Sequence, residues 1–401
     1  MRIKALLVLI LCALLSLSLT GCWNSRELNE LAIVSGIGID RIPETGELRV
    51  TFQVVNPSAT ATTQGASTGQ SPITIYSAND RTVFGALRRA SKQATRQLFF
   101  AHTQLLVLGE SLAQNGITDI FDIFERSHEL RLNTTVLVSR DTDAASILKV
   151  LLPQESVPAI GMDKKTENTS EVWGETPQVN VFELIRELTG GGGFTVSGVR
   201  MAGSAENGQK KASLEQSKAE TSILMSGQAV FKKGKLENWI EGAEARGTQW
   251  ILDKIIETNL NIDSEDRPDG VAVNLVFSKT TVKIDMQNGL PVFHVRVSEE
   301  GNINETRSDV DLGNNKEIRK LEKEMEKRTK EEIQIAFDAA QRLECDYLNF
   351  SNELKRVNPA LWKTVEKNWD QTFAKGRLDL QVKAYIRATG MRLTPLTSPE
   401  E

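Results

Sequence analysis

The chain has 401 residues, 40% apolar and 25% charged, with a net charge of −5. That length suits two or three ordinary domains, and with both charge signs interspersed no large basic stripe is left to follow a phosphate backbone, which argues against nucleic acid as a partner. Cys12 and Cys22 belong to the first apolar segment and Cys345 stands alone, so no internal disulfide can staple the body and apolar cores must hold it.

The chain opens MRIKALLVLILCALLSLSLTGC, with Arg2 and Lys4 ahead of an apolar run over residues 5–19. A basic start, an apolar centre and small residues before a cut make a secretory signal peptide. A membrane-crossing helix needs about 20 apolar residues, which residues 3–20 nearly supply, so length alone does not separate a leader from a retained anchor. Leu19-Thr20-Gly21-Cys22 resembles the bacterial lipobox. The resemblance implies cleavage before Cys22, diacylglycerol on its thiol and acylation of the new amino terminus. Trp23 beside it suits the membrane interface.

After the anchor, IVSGIGID reads as a strand and Val50, Phe52 and Val54 alternate as a second. Gly36-Ile37-Gly38 invites comparison with a dinucleotide loop, but the third glycine and the following helix are missing. Residues 58–72 are small and polar, a flexible excursion. Val83, Leu87, Ala90 and Ala94 recur at helical spacing within residues 79–100. HTQLLVLGE is then a strand, GITDIFDIFERSHEL a helix turning Ile120, Ile123 and Phe124 inward, NTTVLVSR a strand and DTDAASILKVLLP a helix. This alternation predicts a mixed α/β domain over residues 22–197, behind a signal peptide of residues 1–21.

A glycine run at residues 190–193 and a polar stretch at 206–220 interrupt the pattern and mark a surface loop or a domain junction, with a middle domain and its flexible junction expected over residues 198–267. Within it, AVFKKGKLENWI predicts a hairpin turning at Lys232-Lys233-Gly234, and EGAEARGTQWILDK a loop leading into a short helix. In residues 268–401, Val271, Val273, Leu275 and Phe277 share one strand face, Phe293, Val295 and Val297 another, with an Asn288-Gly289 turn between them. A long helix over residues 315–350 carries its stripe through Leu321, Met325, Ala339 and Leu343. Its charged first half is expected to project or lie on the surface. NPALWKTVEKNWDQTF is a further helix, and Leu378, Leu380, Val382 and Ile386 close a β-β-α-α-β unit.

No chemistry stands out. His102, His128 and His294 lack metal-ligand spacing, and there is no nucleophile elbow or phosphate loop. Cys345 reads as a small buried residue on a helix. Trp239, Arg246 and Trp250 flank Gly242 and Gly247; tryptophans usually fill cores, but aromatic and arginine side chains also dominate partner contacts, so the three are candidate contact residues.

The segments GCWNSRELNELAIVSGIGID, VTFQVVNP, AHTQLLVLGESLAQNGI, GQAVFKKGKLENWIEGAEARGTQWI, the charged helix before CDYLNF, and LWKTVEKNWDQTF closely resemble, in family order, the Ger(x)C family, the C subunits of nutrient germinant receptors of endospore-forming bacteria. The resemblance implies a lipoprotein on the outer surface of the spore inner membrane, attached through Cys22. It would act with the membrane-spanning A and B subunits in spore germination, with three α/β domains, no cofactor and no catalytic residue. A solute-binding lipoprotein and a secreted cell-wall hydrolase with converging carboxylates are the rival classes.

Overall fold

In the computed structural model, which describes residues 3–5, 30–60 and 70–392, the chain builds two sheets. The expected anchor at Cys22, with Trp23, lies outside the described residues, as does the middle of the 58–72 excursion. The larger sheet starts as an antiparallel meander of β1 (Leu31–Arg41), β2 (Leu48–Val55) and β3 (Ile73–Asp80). β1 also pairs in parallel with β4 (Gln97–Phe99) at its first residues and with β5 (Leu105–Leu108) further along. Parallel pairing continues through β6 (Thr135–Ser139) to β7 (Phe194–Ala202), and β8 (Ser222–Lys232) and β9 (Lys235–Ile240) close the far edge antiparallel.

Helices cover both faces. α1 (Val83–Ala90), α2 (Glu110–Asn115) and α3 (Asp122–Arg126) lie over one face, and α4 (Ala144–Lys149) and α5 (Pro158–Val172) over the other; α6 (Val181–Gly190) returns to the first. Every residue of β5 and β6 is therefore buried, the reason LLVL and TVLVS read as unbroken runs. Phe52, Leu106, Val138 and Val196 point into one core, Leu105, Val107, Leu137 and Val199 into the other.

The expected helix over residues 79–100 is only α1. Thr82 caps its start, accepting from the Gly85 N–H at 3.0 Å, and the chain leaves it to place the buried Leu98 in β4. β3, α5 and α6 have no counterpart among the elements expected from the sequence. The GIGID stretch is sheet: its Asp40 accepts from the N–H groups of Ala144 at 2.8 Å and Ala145 at 3.1 Å and so caps α4 across the strand ends. Burial raises the Asp40 pKa, against the lowering by those two N–H groups.

The expected junction before residue 198 is not a break in the sheet, because it falls inside β7 and strands on either side share one ladder. Gly198 marks a close approach instead: a Cβ there would collide with the Ser226 carbonyl and the Trp239 ring. The polar stretch that follows holds only short helical turns, and β8 and β9 then form the hairpin read from the sequence.

α7 (Gly242–Ile251) leads to the second sheet, β10 (Thr258–Ile262), β11 (Val271–Gln287), β12 (Leu290–Thr306) and β13 (Arg377–Ala388), in that order. The turn between β11 and β12 has φ of 53° at Asn288 and 80° at Gly289, the left-handed pair a two-residue hairpin demands. The expected boundary at 267/268 lies in the connection between β10 and β11, which are themselves hydrogen-bonded neighbours. α8 (Asn315–Arg342) spans the crossover between the parallel strands β12 and β13. It stops short of residue 350 because Glu344 turns left-handed at φ 47°. Its charged first half lies on the sheet, burying Leu321 and Met325. α9 (Phe350–Val357), α10 (Pro359–Val365) and α11 (Trp369–Ala374) follow, and Phe350 stacks on Phe293 with ring centroids 4.3 Å apart. Mixed sheets with covering helices are thus observed; among the described residues no helix is long and apolar enough to cross a membrane.

Candidate functional site

The sequence-predicted residues Arg246 and Trp250 meet at the crossing of α7 and α8. One turn of α7 brings them to the same face, and Gly247 between them lets the helices touch: a Cβ there would collide with the Glu332 carbonyl. Glu332 is 1% exposed and Arg246 8%. Arg246 Nε donates to Glu332 Oε2 at 2.8 Å and its Nη2 to Oε1, a bidentate fork. Trp250 Nε1 donates to the same Oε2 at 3.1 Å, and Arg328 Nε lies 3.6 Å from Oε1. Burial opposes the charge on Arg246, but the hydrogen bonds and charge of Glu332 outweigh it and raise its pKa. Arg246 and Trp250 are therefore internal. Within this chain they join the hairpin side of the larger sheet to the helix of the second.

One turn earlier on α8, Thr329 donates to Glu299 of β12 at 2.9 Å. Burial pushes the Glu299 pKa up to about 8, the Thr329 hydroxyl lowers it, and the nearby charges of Glu332 and Glu326 raise it further. At neutral pH this carboxyl is mostly protonated. Asp346 is a third buried acid, accepting from the N–H groups of Phe350 at 3.1 Å and Ser351 at 2.6 Å and from Trp369 Nε1 at 2.8 Å. Burial raises its pKa, opposed by those donors. Cys345 next to it is buried just past the end of α8, its Sγ 3.6 Å from the Phe231 carbonyl. Burial pushes its thiol up to about 12, so it is a poor nucleophile.

Trp239 sits apart. Its Nε1 donates to Glu110 at 2.9 Å, and the Arg140 guanidinium lies 5.0 Å from its ring centroid and pairs with Glu241. Partly exposed, it ties β9 to the turn after β5. His294 stands between two carboxylates, 2.6 Å from Asp379 and 3.0 Å from Asp285, with Arg296 on Asp379 at 2.7 Å. Among the described residues no group of His, Cys, Asp and Glu could hold a metal ion. A groove of about 690 Å³ runs between α1 and α3, floored by Val83, Phe84, Ile120 and Ile123. Of its cations, Arg126 pairs with Asp122 at 2.8 Å and Arg88 lies over the Phe84 ring, and Arg81 also lines it.

Sequence reasoning missed Glu332, Glu299 and Asp346. A signal was available for the first: Glu332 lies seven residues after Met325 and four before Ala336, on the apolar stripe, where a charge must be buried.

The Spore germination protein N-terminal domain family matches residues 24–201, and the family described as Spore germination B3/GerAC like, C-terminal, matches residues 226–390. The chain belongs to the GerAC-like spore germination proteins. Spore germination protein KC of Bacillus subtilis (strain 168) is 30% identical to it over 98% of both chains. Spore germination protein YndF of the same organism is 24% identical over 96% of this chain and 97% of the relative. The crystal structure of the GerBC protein superposes with a TM-score of 0.55 at 17% identity, over 88% of this chain and 97% of that one, which shows a shared fold. Family membership makes the chain a non-catalytic protein with an assembly or signalling role in a germinant receptor.

Proposed function

We propose that the protein is the lipid-anchored C subunit of a nutrient germinant receptor, cleaved before Cys22 and held at the outer surface of the spore inner membrane beside the A and B membrane subunits. The observation that carries this reading is end-to-end similarity to Spore germination protein KC, joined to the Leu19-Thr20-Gly21-Cys22 sequence. A lipid tether turns a search in three dimensions into a search across a surface, which raises the effective concentration of weakly binding subunits. Replacing the thiol, Cys22→Ala, is expected to lower the amount of assembled receptor in spores and to slow nutrient-triggered germination. Normal receptor levels together with a normal nutrient response would overturn it.

The groove between α1 and α3 supports a second reading, direct binding of a small nutrient. Its walls come from α1, α3 and Leu48 of β2, all on one side of the larger sheet, unlike a site closed between two lobes. Titrating the purified chain with amino acids, sugars and nucleosides separates the two readings: saturable heat or fluorescence change in the absence of other subunits favours the solute binder.

A further inference from the structure

We propose that the end of the larger sheet where β1, β4, β5 and β6 begin is a lipid-facing surface, with Arg96, Arg131, Leu132 and Phe182 set against anionic phospholipid headgroups. This rests on the reading of Cys22 as the anchor, and adds to it which face the anchor presents.

The first argument is reach. Glu30, the residue before β1, is eight residues on from Cys22. A fully extended chain spans at most about 3.6 Å per residue, so the bilayer surface lies within about 29 Å of the start of β1. The residues at that end are linked to it step by step. Gln97 pairs with Leu31 and Phe99 with Ile33, Arg131 Nε donates to the Ala101 carbonyl at 3.0 Å, and the Phe182 N–H donates to the Leu132 carbonyl at 2.9 Å. The tether therefore enters at one side of a continuous surface running from β1 to the start of α6.

The second argument is chemistry. Phe182 is 57% exposed and Leu132 38%, side chains that leave water when they enter the headgroup and acyl boundary. Arg96 and Arg131 are exposed beside them and form no ion pair among the described residues. A guanidinium matches phosphate with two parallel hydrogen bonds. Glu183, next to Phe182, is turned back to the N–H of Asn180 at 3.2 Å as half of a capping box and does not compete. The opposite strand ends are different in kind: they carry Glu110, Asp141, Asp143 and Glu241, with Arg49 and Arg140 already paired to acids. The first end thus offers two exposed cations, Arg96 and Arg131, to anionic lipid beside the acids Glu30 and Glu129, whereas Arg49 and Arg140 of the second end are engaged by its own acids. The diacylglycerol and amino-terminal acyl chains implied at Cys22 already suffice for anchoring, so the basic, apolar patch acts on orientation, fixing which face the tethered body turns to the bilayer.

The test uses the chain as isolated from membranes, reconstituted in vesicles of phosphatidylcholine and phosphatidylglycerol, about three to one, the latter bearing a photoactivatable headgroup. The attached lipid is verified by mass. Crosslinks are expected at residues 96–102, 131–133 and 182. The double variant Arg96→Glu with Arg131→Glu, at exposed positions that leave both cores untouched, is expected to lower their yield roughly tenfold. Phe182→Ser should lower it less while leaving thermal unfolding unchanged. Crosslinks centred on residues 110, 141 and 241, or an unchanged yield in the double variant, would overturn the proposal. So would labels on residues 96–102 that move from lipid to a receptor subunit once subunits are added. An unmodified Cys22 in the same sample sinks the anchoring reading itself, an outcome told apart from the others by mass alone.

Discussion

The centre of the larger sheet and the hairpin of the smaller one solve burial in opposite ways. β5 and β6 are covered on both faces, and every residue in them is buried. β11 and β12 are each 17 residues long; β12 alternates buried with partly exposed positions, and β11 does so as far as Leu275 before its outer half becomes largely exposed, since helices cover one face only. β5 and β6 are held mainly by apolar volume, while the neighbouring β1 and β2 bury the hydrogen-bonded Asp40 and Gln53. The smaller sheet has one covered face, and at its helix layer it buries ionisable groups: Glu332 with Arg246, Glu299, and Asp346. The first region should fail through cavities, the second through unpaired polar groups.

The largest effect expected is at the charged node. Glu332→Ala leaves the Arg246 guanidinium and Trp250 Nε1 buried without their acceptor, and breaking one half of such a pair costs about 3–5 kcal/mol. Urea denaturation checks it. Replacing both partners together, Glu332→Met with Arg246→Met, should recover most of that loss, because a buried pair is weak evidence for net stability. A double variant as damaged as the single one would blur the contrast between the regions.

Cavities come next. Leu106→Ala in β5, fully buried, is expected to cost about 2–5 kcal/mol. Val282→Ala in β11, partly buried against the second core, should cost under about 1 kcal/mol, since surface and half-exposed changes fall in that range. Equal losses would mean the outer half of the long hairpin is covered in solution by something the chain itself does not provide.

Glu299 sharpens the comparison with pH. Its folded pKa, about 8, lies above the ordinary 4.5, so its contribution is fully present below pH 4.5 and is lost as pH rises through about 8. A tenfold difference in proton affinity between the folded and unfolded chain corresponds to about 1.4 kcal/mol, so the change between these limits amounts to a few kcal/mol. Glu299→Gln keeps the shape and an acceptor for the Thr329 hydroxyl but cannot ionise. Relative to the parent, it should gain stability at pH 8 compared with pH 5 in thermal unfolding. A difference that stays flat over this range would show that the carboxyl is ionised throughout.

The two regions also differed in how far the sequence could be read. LLVL and TVLVS, the Asn288-Gly289 turn and the alternation around it were legible because burial on two faces, or on one, writes its period directly into the residues. β3 and α5 were not. β3 is an edge strand with two buried positions in eight, and α5 buries mainly Ala159, Gly161, Met162 and Thr166, too few large apolar groups to set a period. β7 was hidden by its glycine, which looks like a loop residue and is required by contact with Ser226 and Trp239. At the site, Trp250 and Arg246 were picked out but their shared bond to Glu332 was not, since that acceptor is contributed by a helix 82 residues away from Trp250. Long-range pairing of this kind has no local signature.

The smallest effect is expected at Trp239, the one aromatic of the three that keeps an exposed edge. Trp239→Phe removes the hydrogen bond to Glu110 and weakens the ring beneath Arg140, while the apolar contacts with the first core remain. Glu110 and Arg140 can both turn to solvent, and Arg140 keeps its pairing with Glu241. The loss should therefore be near about 1 kcal/mol, the net worth of an ordinary hydrogen bond, far below that of Glu332→Ala. Because Trp239 lies on β9 at the edge of the larger sheet, this variant also tests whether that edge meets another receptor subunit. A fold destabilised by only this much, with crosslinking to other subunits unchanged, would remove Trp239 from the expected contact residues. Crosslinking that falls while thermal unfolding barely moves would place a partner on the open edge of β9.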